Sequence, residues 1–187
     1  MYACGITVYD LCHIGHARQA IAYAMVADYL RYRGCNVKYV RNYTDVDDKI
    51  IDRANKLGKD PLEFSREQIE ETEKDMANLH ITDADVKPKA SENIENIIEF
   101  VQGLIDKGHA YPAENGDVYF NVRSFPGNGK LSLRKVDEHL NGVRIDVEEG
   151  KHDAIVFALW KAAKPGEISW KSPWGEGRPG WHIECST

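Results

Sequence analysis

Residues 2–43, YACGITVYDLCHIGHARQAIAYAMVADYLRYRGCNVKYVRNY, decide the fold because their pattern changes from that of a strand to that of a helix and back to that of a strand. Residues 2–9 are rich in β-branched and aromatic side chains, which predicts a buried strand. Apolar residues then recur near helical spacing from Ala17 until Arg31, Arg33 and Gly34 signal a helix end, and residues 36–43 form a second predicted strand. This order predicts a parallel βαβ unit with a right-handed crossover. The apolar positions of the predicted helix are Ala20, Ile21, Ala24, Met25 and Val26.

Three further helices are predicted downstream. Residues 45–58 place carboxylates in a first helical turn, and the next helix has Asp60 as N-cap, Pro61 at its first position and Glu63 at the capping-box position. The last helix is predicted to begin after a Ser91 cap and to end before Gly108, with one apolar face. That face comprises Ile94, Ile97, Ile98, Val101, Leu104 and Ile105.

The remainder of the chain predicts three domain segments. Residues 1–110 form the first part of a Rossmann-like domain with helical segments, residues 111–150 form a β-rich connective insertion, and residues 151–187 begin the second part. The sequence AIVFALWKA at 154–162 has the pattern of a buried strand, whereas residues 164–180 are predicted to be a long loop rich in Gly, Pro and Trp. A helix is predicted to start within GWHIECST at 180–187.

Composition favours a soluble globular protein of the cytosol. The 187 residues are 42% hydrophobic and 10% aromatic, and no apolar run approaches the roughly 20 residues that a membrane-spanning helix needs. A net charge of -6 argues against non-specific nucleic-acid binding over the whole surface. A nucleic-acid partner would therefore contact only a local patch of the surface. The four cysteines are sparse and irregularly spaced, which favours free thiols or a long-range metal site over a disulfide framework.

His13 and His16 lie where the first predicted strand gives way to the helix. This point is the carboxyl end of the strand, and in a parallel sheet ligands usually bind in a crevice at the carboxyl ends of the strands. A helix N-terminus there attracts phosphate oxygens. Imidazoles can donate hydrogen bonds to phosphoryl oxygens, and Gly15 leaves room for a ligand near the backbone. From the residues alone, phosphate chemistry, metal binding and a structural role in capping or packing stay equally open.

The segment CGITVYDLCHIGHAR resembles the HIGH signature of class I aminoacyl-tRNA synthetases. The segments MYACG, RNYTDVDDKI, FALWKAAKPGE and SPWGEGRPGWHIECS are similar, in the same order, to cysteinyl-tRNA synthetases from one end of the chain to the other. That family usually has Pro where this chain has Ile6. Its later His and Glu zinc ligands, KMSKS loop and anticodon-binding region would all follow Thr187, so the resemblance identifies an N-terminal catalytic portion that is truncated.

The resemblance implies an α/β fold, a Rossmann-like parallel-sheet catalytic domain with a small connective insertion. It implies ATP-dependent activation of L-cysteine to cysteinyl-adenylate and transfer to tRNA(Cys), with magnesium accompanying ATP. One zinc ion per subunit would be held by Cys4, Cys185 and two ligands beyond Thr187, and would select the substrate thiol over a serine hydroxyl. A monomer with no membrane partner is expected.

The same resemblance assigns the site residues. His13 and His16 would be catalytic and would bind ATP together with Gly15, while the amino-acid substrate would contact Gly5, Thr44, Trp181 and His182. Simple packing is the alternative for Trp181, and helix capping is the alternative for Thr44. Asp45, Asp47 and Asp48 invite a magnesium site, but their position at a helix start is better explained by the helix dipole. Cys12 and Cys35 are expected to pack.

Two alternative functions stay open. The enzyme that joins cysteine to glucosaminyl-inositol in mycothiol synthesis shares the HIGH-type loop, the zinc cysteines and adenylation, although HIGHAR and TDVDDK favour the synthetase. The other alternative is an inactive fragment able at most to bind nucleotide or a partner. The 187 residues alone are expected to be inactive and to bind zinc weakly.

Overall fold

The computed structural model describes residues 1–131 and 156–187 and divides the chain into two compact units, Met1–Asn93 and Ile94–Thr187. Each unit is considered by itself. Residues 132–150, about half of the predicted insertion, lie outside the described residues, as does the predicted boundary at residue 150. The three-segment domain division therefore stays a prediction.

The first unit is built on parallel strand pairing. Strand β1 (Tyr2–Ala3) pairs in parallel with β2 (Val40–Arg41), and helix α1 (Ile14–Tyr32) connects them. Residues 86–89 add a third parallel segment through bridges from Val40 to Val86 and from Tyr43 to Lys89. The predicted βαβ unit is confirmed, although regular pairing covers only the start of the strand predicted at 2–9.

Helix α1 packs through a stripe of alanines. Its buried residues are Ala17, Ala20, Ala24 and Ala27. Ile21, Met25 and Val26, the larger residues of the apolar pattern in the sequence, have exposed fractions of 41%, 66% and 48%. Small side chains let a helix approach a neighbouring backbone closely, so the alanine stripe rather than the larger apolar residues defines the buried face.

Helix α3 (Pro61–Asn78) begins where the sequence predicts, whereas α2 (Asp48–Leu57) begins three residues later than the predicted 45–58. The Asp47 carboxylate accepts a hydrogen bond from the Lys49 N–H, and the Asp60 carboxylate accepts from two N–H groups of the first α3 turn. Gly58 ends α2 in the left-handed conformation with φ of 66°. The two helices bury one apolar cluster against the first strand region, namely Val8, Tyr43, Ile50, Ala54, Phe64 and Ile69.

The prediction that Ser91 is the N-cap of helix α4 is wrong. Helix α4 spans Ile94–Asp106, and Ser91 lies in a preceding 3-10 turn, Ala90–Glu92. The Ser91 N–H and hydroxyl both donate to the carboxylate of Asp45, which follows β2. The serine therefore ties two loops of the first unit together. The predicted apolar face of α4 and the Gly108 stop, with φ of 75°, are confirmed.

The second unit is an antiparallel sheet with α4 packed against it. The strands are β3 (Ala110–Pro112), β4 (Val118–Asn121), β5 (Val156–Ala162), β6 (Trp170–Ser172) and β7 (Gly175–Pro179), in the order β3-β4-β5-β7-β6. Its core comprises Ile94, Ile97, Val101, Ala110, Val118, Leu159, Trp160 and Ile183.

Residues 164–180 are not the long loop that was predicted, because β6 and β7 form an antiparallel pair there. Trp170 and Trp174 pack against the core of the second unit, and this burial explains why a Gly- and Pro-rich segment forms strands. Residues 181–186 form consecutive turns rather than the predicted helix start. No helix among the described residues is both long enough and apolar enough to cross a membrane.

The buried Asp45 carboxylate predicts an unusual pH dependence of stability. Burial raises its pKa above the ordinary 3.8, although the hydrogen bonds from Ser91 oppose this shift. Because the folded state then holds the proton more tightly than the unfolded state, stability contributed by Asp45 is present below pH 3.8 and is lost as pH rises through the raised pKa. Urea titrations give the free energies of unfolding of wild type and Asp45→Asn. We expect the wild-type value minus the variant value to fall as pH rises from 3.8 through the raised pKa.

The control is Asp52→Asn, which changes an exposed carboxylate on α2. Its difference from wild type should be flat over the same pH range. An Asp45→Asn difference equal at pH 3.5 and 7 would contradict the raised pKa.

Candidate functional site

The two histidines begin helix α1 and interlock. The Nδ1 of His13 accepts a hydrogen bond from the Gly15 N–H at 3.0 Å, and the Nδ1 of His16 accepts from the His13 N–H at 3.4 Å. Their rings stack with centroids 3.8 Å apart and planes 23° from parallel. The capping role that the sequence left open is therefore present.

This arrangement fixes which ring nitrogen carries the proton. Since each Nδ1 accepts a backbone hydrogen bond, each neutral imidazole carries its proton on Nε2. His13 is exposed and His16 is half-buried, at a helix end whose first N–H groups attract anions. Capping through Nδ1 and donation through Nε2 use different atoms, so the cap is compatible with the predicted contact to phosphate.

Burial lowers the pKa of His16 below 6.5, and the neighbouring His13 lowers it further. Both causes favour the neutral ring, in agreement with the hydrogen bond that its Nδ1 accepts. His16 is therefore a neutral hydrogen-bond donor near pH 7.

Gly15 allows the His13 ring to fold back over the backbone. A Cβ at this position would lie 2.7 Å from the His13 Cε1 and 2.9 Å from its Nδ1. Any side chain at residue 15 would therefore push the ring away from its position. The glycine is needed for the ring geometry itself as well as for the predicted access of ATP.

A partly open pocket of about 310 Å³ lies next to His16 in the first unit. Cys4 and Gly5 line it together with His16, so three of the predicted site residues meet here. Its other lining residues come from the first strand region, α1, the region of β2, and α3; they are Ile6, Gln19, Ala20, Tyr23, Arg41, Tyr43, Thr72 and Met76. The Cys4 thiol is exposed.

Thr44 lies at the end of the parallel pairing and not at a helix cap. It is 4% exposed, its N–H donates to the Ile6 carbonyl, and its own carbonyl accepts from the Val8 N–H. Asp47 caps α2 instead, so the capping alternative for Thr44 is wrong. Its predicted substrate contact stays a prediction.

The other predicted site residues belong to the second unit. Trp181 is 60% exposed, which rules out simple packing as its explanation within this unit. Its ring centroid lies 5.0 Å from that of His182, and the His182 ring meets Phe157 edge-on at 5.4 Å. Cys185 is exposed two residues after the buried Ile183. The turn following β7 thus presents an indole, an imidazole and a thiol.

The acidic cluster after β2 has structural partners. Asp47 caps α2, Asp48 lies in its first turn, and Asp45 bonds to Ser91, so the dipole explanation holds for the first two. Among residues 1–131 and 156–187, no three His, Cys, Asp or Glu side chains are grouped so that they could hold a metal ion.

Asn42 and Gln19 are polar residues beside Cys4 that the sequence did not identify. The Gly5 N–H donates to the Asn42 Oδ1 at 2.7 Å, and the Gln19 Nε2 donates to the Cys4 carbonyl at 3.3 Å. Gln19 lies one turn beyond His16 and Asn42 directly follows β2. The signals in the sequence were the place of Gln19 one turn after His16 and that of Asn42 within RNYTDVDDKI.

Residues 1–187 match the family model described as the class I (C) tRNA synthetase catalytic domain. The chain belongs to this family. Cysteine–tRNA ligases of Thermodesulfovibrio yellowstonii, Maridesulfovibrio salexigens and Marinobacter nauticus are 57%, 55% and 54% identical to it over the whole chain. The chain spans only 39%, 38% and 40% of the length of these relatives.

A solved structure shares the fold at low sequence identity. It is the LeuRS of Agrobacterium radiobacter K84 in a ternary complex with tRNA and LeuAMS, which aligns with a TM-score of 0.53 at 19% identity. The alignment covers 66% of this chain and 16% of the LeuRS chain. The chain of 187 residues begins with a parallel βαβ unit and belongs to the class I synthetase family. These two findings place it in the predicted Rossmann-like α/β fold class.

The stacked rings predict a coupled titration that NMR can follow. We expect His16 to titrate below pH 6.5, and His13→Asn to raise its pKa towards that value without reaching it, because burial is the larger cause. A lowered pKa also means that stability is retained above pH 6.5 and is lost as pH falls from 6.5 through the pKa of folded His16.

His80→Asn is the matched control, since His80 is exposed and lies beyond α3. Its replacement should leave the His16 titration unchanged. A His16 pKa at or above 6.5 in the wild-type chain would contradict the lowered pKa, and an unchanged His16 pKa in His13→Asn would show that His13 has no electrostatic effect on it.

Proposed function

We propose that the natural polypeptide carrying these 187 residues is a cysteine–tRNA ligase. In the first step the carboxylate of L-cysteine attacks the α-phosphorus of ATP, the bond to the β-phosphate oxygen breaks, and pyrophosphate leaves. In the second step a ribose hydroxyl of the terminal adenosine of tRNA(Cys) attacks the cysteinyl carbonyl, and AMP leaves. The whole-chain identity of 54–57% to cysteine–tRNA ligases carries this proposal.

The start of α1 supports the first step. Negative charge builds on the phosphate oxygens as the carboxylate approaches, and the two Nε2–H groups can donate to those oxygens. Their positions are set beforehand by the Nδ1 hydrogen bonds and by ring stacking, so no reorganisation is required during the reaction. His13 and His16 therefore act by electrostatic stabilisation and positioning rather than by covalent attack.

Cys4 and Cys185 fit the zinc site that the resemblance implies. Both are exposed thiols, and thiolates are among the preferred zinc ligands, while the resemblance assigns the other two ligands to residues beyond Thr187. Zinc held by these residues would favour a substrate thiolate as a further ligand, since a serine hydroxyl is a much poorer one. The cysteines thus provide the means to separate cysteine from serine without an editing site.

Trp181 and His182 are proposed to line one side of the pocket for the bound amino acid. An indole that is 60% exposed beside an imidazole offers an apolar face and a hydrogen-bonding group on one turn. Gly5 and Thr44 are proposed to contact the substrate from the first unit. Magnesium is proposed to enter with ATP, held chiefly by its phosphates.

The phosphate-binding role is tested by His13→Asn and His16→Asn. We expect each variant to lower cysteine-dependent exchange of pyrophosphate into ATP by about 100-fold, the usual effect of removing one preorganised donor. Asn is also a good N-cap, so His13→Asn should leave the thermal midpoint close to that of wild type. The exchange is measured on the natural polypeptide, with His80→Asn as the control.

Exchange at the wild-type rate in both variants would refute the phosphate contact. Absence of cysteine-dependent exchange from the wild-type polypeptide itself would refute the ligase proposal.

Gly15→Ala tests the ring position separately. An added Cβ at 2.7 Å from the His13 Cε1 displaces the ring, so we expect kcat for exchange to fall by about ten-fold or more, because small misplacements of positioned groups are costly. Gly103→Ala in α4 is the control, since its Cβ would meet no atom within 4 Å and alanine favours helix. Equal kcat values in the two variants would contradict the displacement.

A further inference from the structure

The first strand segment contains one extra residue between Ala3 and Thr7. Ala3 pairs with Arg41, and the next parallel bridge joins Thr7 to Thr44. Three residues, 4–6, therefore lie between these pairs on the first strand, against two, 42–43, on the second. This is a β-bulge, a feature that commonly redirects a side chain next to an active site.

The bulge leaves the peptide unit between Cys4 and Gly5 without a regular strand partner. Two side chains take that place. The carbonyl of Cys4 accepts from Gln19 at 3.3 Å, and the N–H of the same peptide unit, on Gly5, donates to Asn42 at 2.7 Å. Both polar groups of one peptide plane are thereby held by side chains from α1 and from the residue after β2.

Close packing restricts this peptide further. A Cβ on Gly5 would overlap the carbonyl oxygen of Asn42, so the backbones are in contact at this point. Asn42 is 4% exposed and its side chain cannot leave without exposing the bulge. The peptide plane that carries the Cys4 side chain is consequently fixed on both edges, while the Cys4 thiol itself stays exposed beside the pocket.

We infer that Asn42, together with Gln19, is a positioning residue for the Cys4 thiol as a metal ligand. The inference rests on the proposed function, because only there is Cys4 a ligand. Groups that orient a metal ligand through hydrogen bonds affect metal affinity even though they do not touch the metal. Gln19 also joins the ligand to the helix that begins with His13 and His16, so the thiol and the phosphate-binding end share one rigid support.

The test measures zinc affinity of the natural polypeptide by competition with a chromophoric chelator. Asn42→Leu keeps a similar volume and removes the acceptor for Gly5, and Gln19→Met keeps the side-chain length and removes the donor to Cys4. We expect each variant to bind zinc about ten-fold more weakly than wild type. Asn42→Asp keeps an acceptor for the Gly5 N–H and should bind zinc no more weakly than wild type.

Gln68→Met, within α3, is the control for a glutamine-to-methionine change on a helix of the same unit and should not alter zinc affinity. All affinities are measured well below each variant's thermal midpoint. A residue with only a structural role would lower that midpoint and leave the zinc dissociation constant unchanged.

The outcomes separate this inference from the function it rests on. A wild-type polypeptide that binds no zinc overturns the zinc role of Cys4 itself. Wild-type zinc binding with unchanged affinity in Asn42→Leu and Gln19→Met overturns the positioning role alone. If Asn42→Leu does not fold, the exposed Gln19→Met decides the question in the same way.

Discussion

The contact between the Gly5 backbone and the Asn42 carbonyl group is the constraint on which the first unit depends. No side chain fits at residue 5, so the two strand segments meet backbone to backbone there. The extra residue of the first strand is absorbed near this contact, and a single parallel bridge joins Thr7 to Thr44 beyond it. Cys4, the pocket and the approach to α1 all lie within a few residues of it. The site geometry therefore follows from how one glycine packs.

Elements with local signals were predictable, and elements defined by distant contacts were not. Asp60 and Gly58 act on neighbouring residues, so the start of α3 and the end of α2 could be predicted from sequence, whereas α2 begins three residues later than predicted, after the Asp47 cap. Ser91 resembles a cap locally, but its partner is Asp45, 46 residues earlier in the chain. The β6–β7 pair was missed because Gly and Pro dominate its sequence, while the burial of Trp170 and Trp174 in the core decides its structure.

The candidate site also contains residues with local signals and residues placed only by distant contacts. The motif at residues 13–16 could be recognised because its members are adjacent in sequence, and even its capping role is local. Gln19 lies outside the segments that carry the family resemblance, and Asn42 lies in one of them without an assigned role; their proximity to Cys4 depends on a strand register that changes within the first strand. The buried face of α1 could not be assigned from the apolar pattern alone, because hydrophobicity scales favour Ile21 and Met25 over alanine. Packing distance, which favours alanine, is not visible in such scales.

The protonation pattern of His13 and His16 also limits what this helix end can do. Each ring uses its Nδ1 lone pair to accept a backbone N–H, and each Nε2 carries a proton, so neither neutral ring offers a lone pair to a water molecule. Neither side chain can therefore serve as a general base for hydrolysis while the cap is intact. A mixed anhydride of a carboxylate and a phosphate, bound at this end of α1, would be stabilised by two donors without being exposed to an activated water from them.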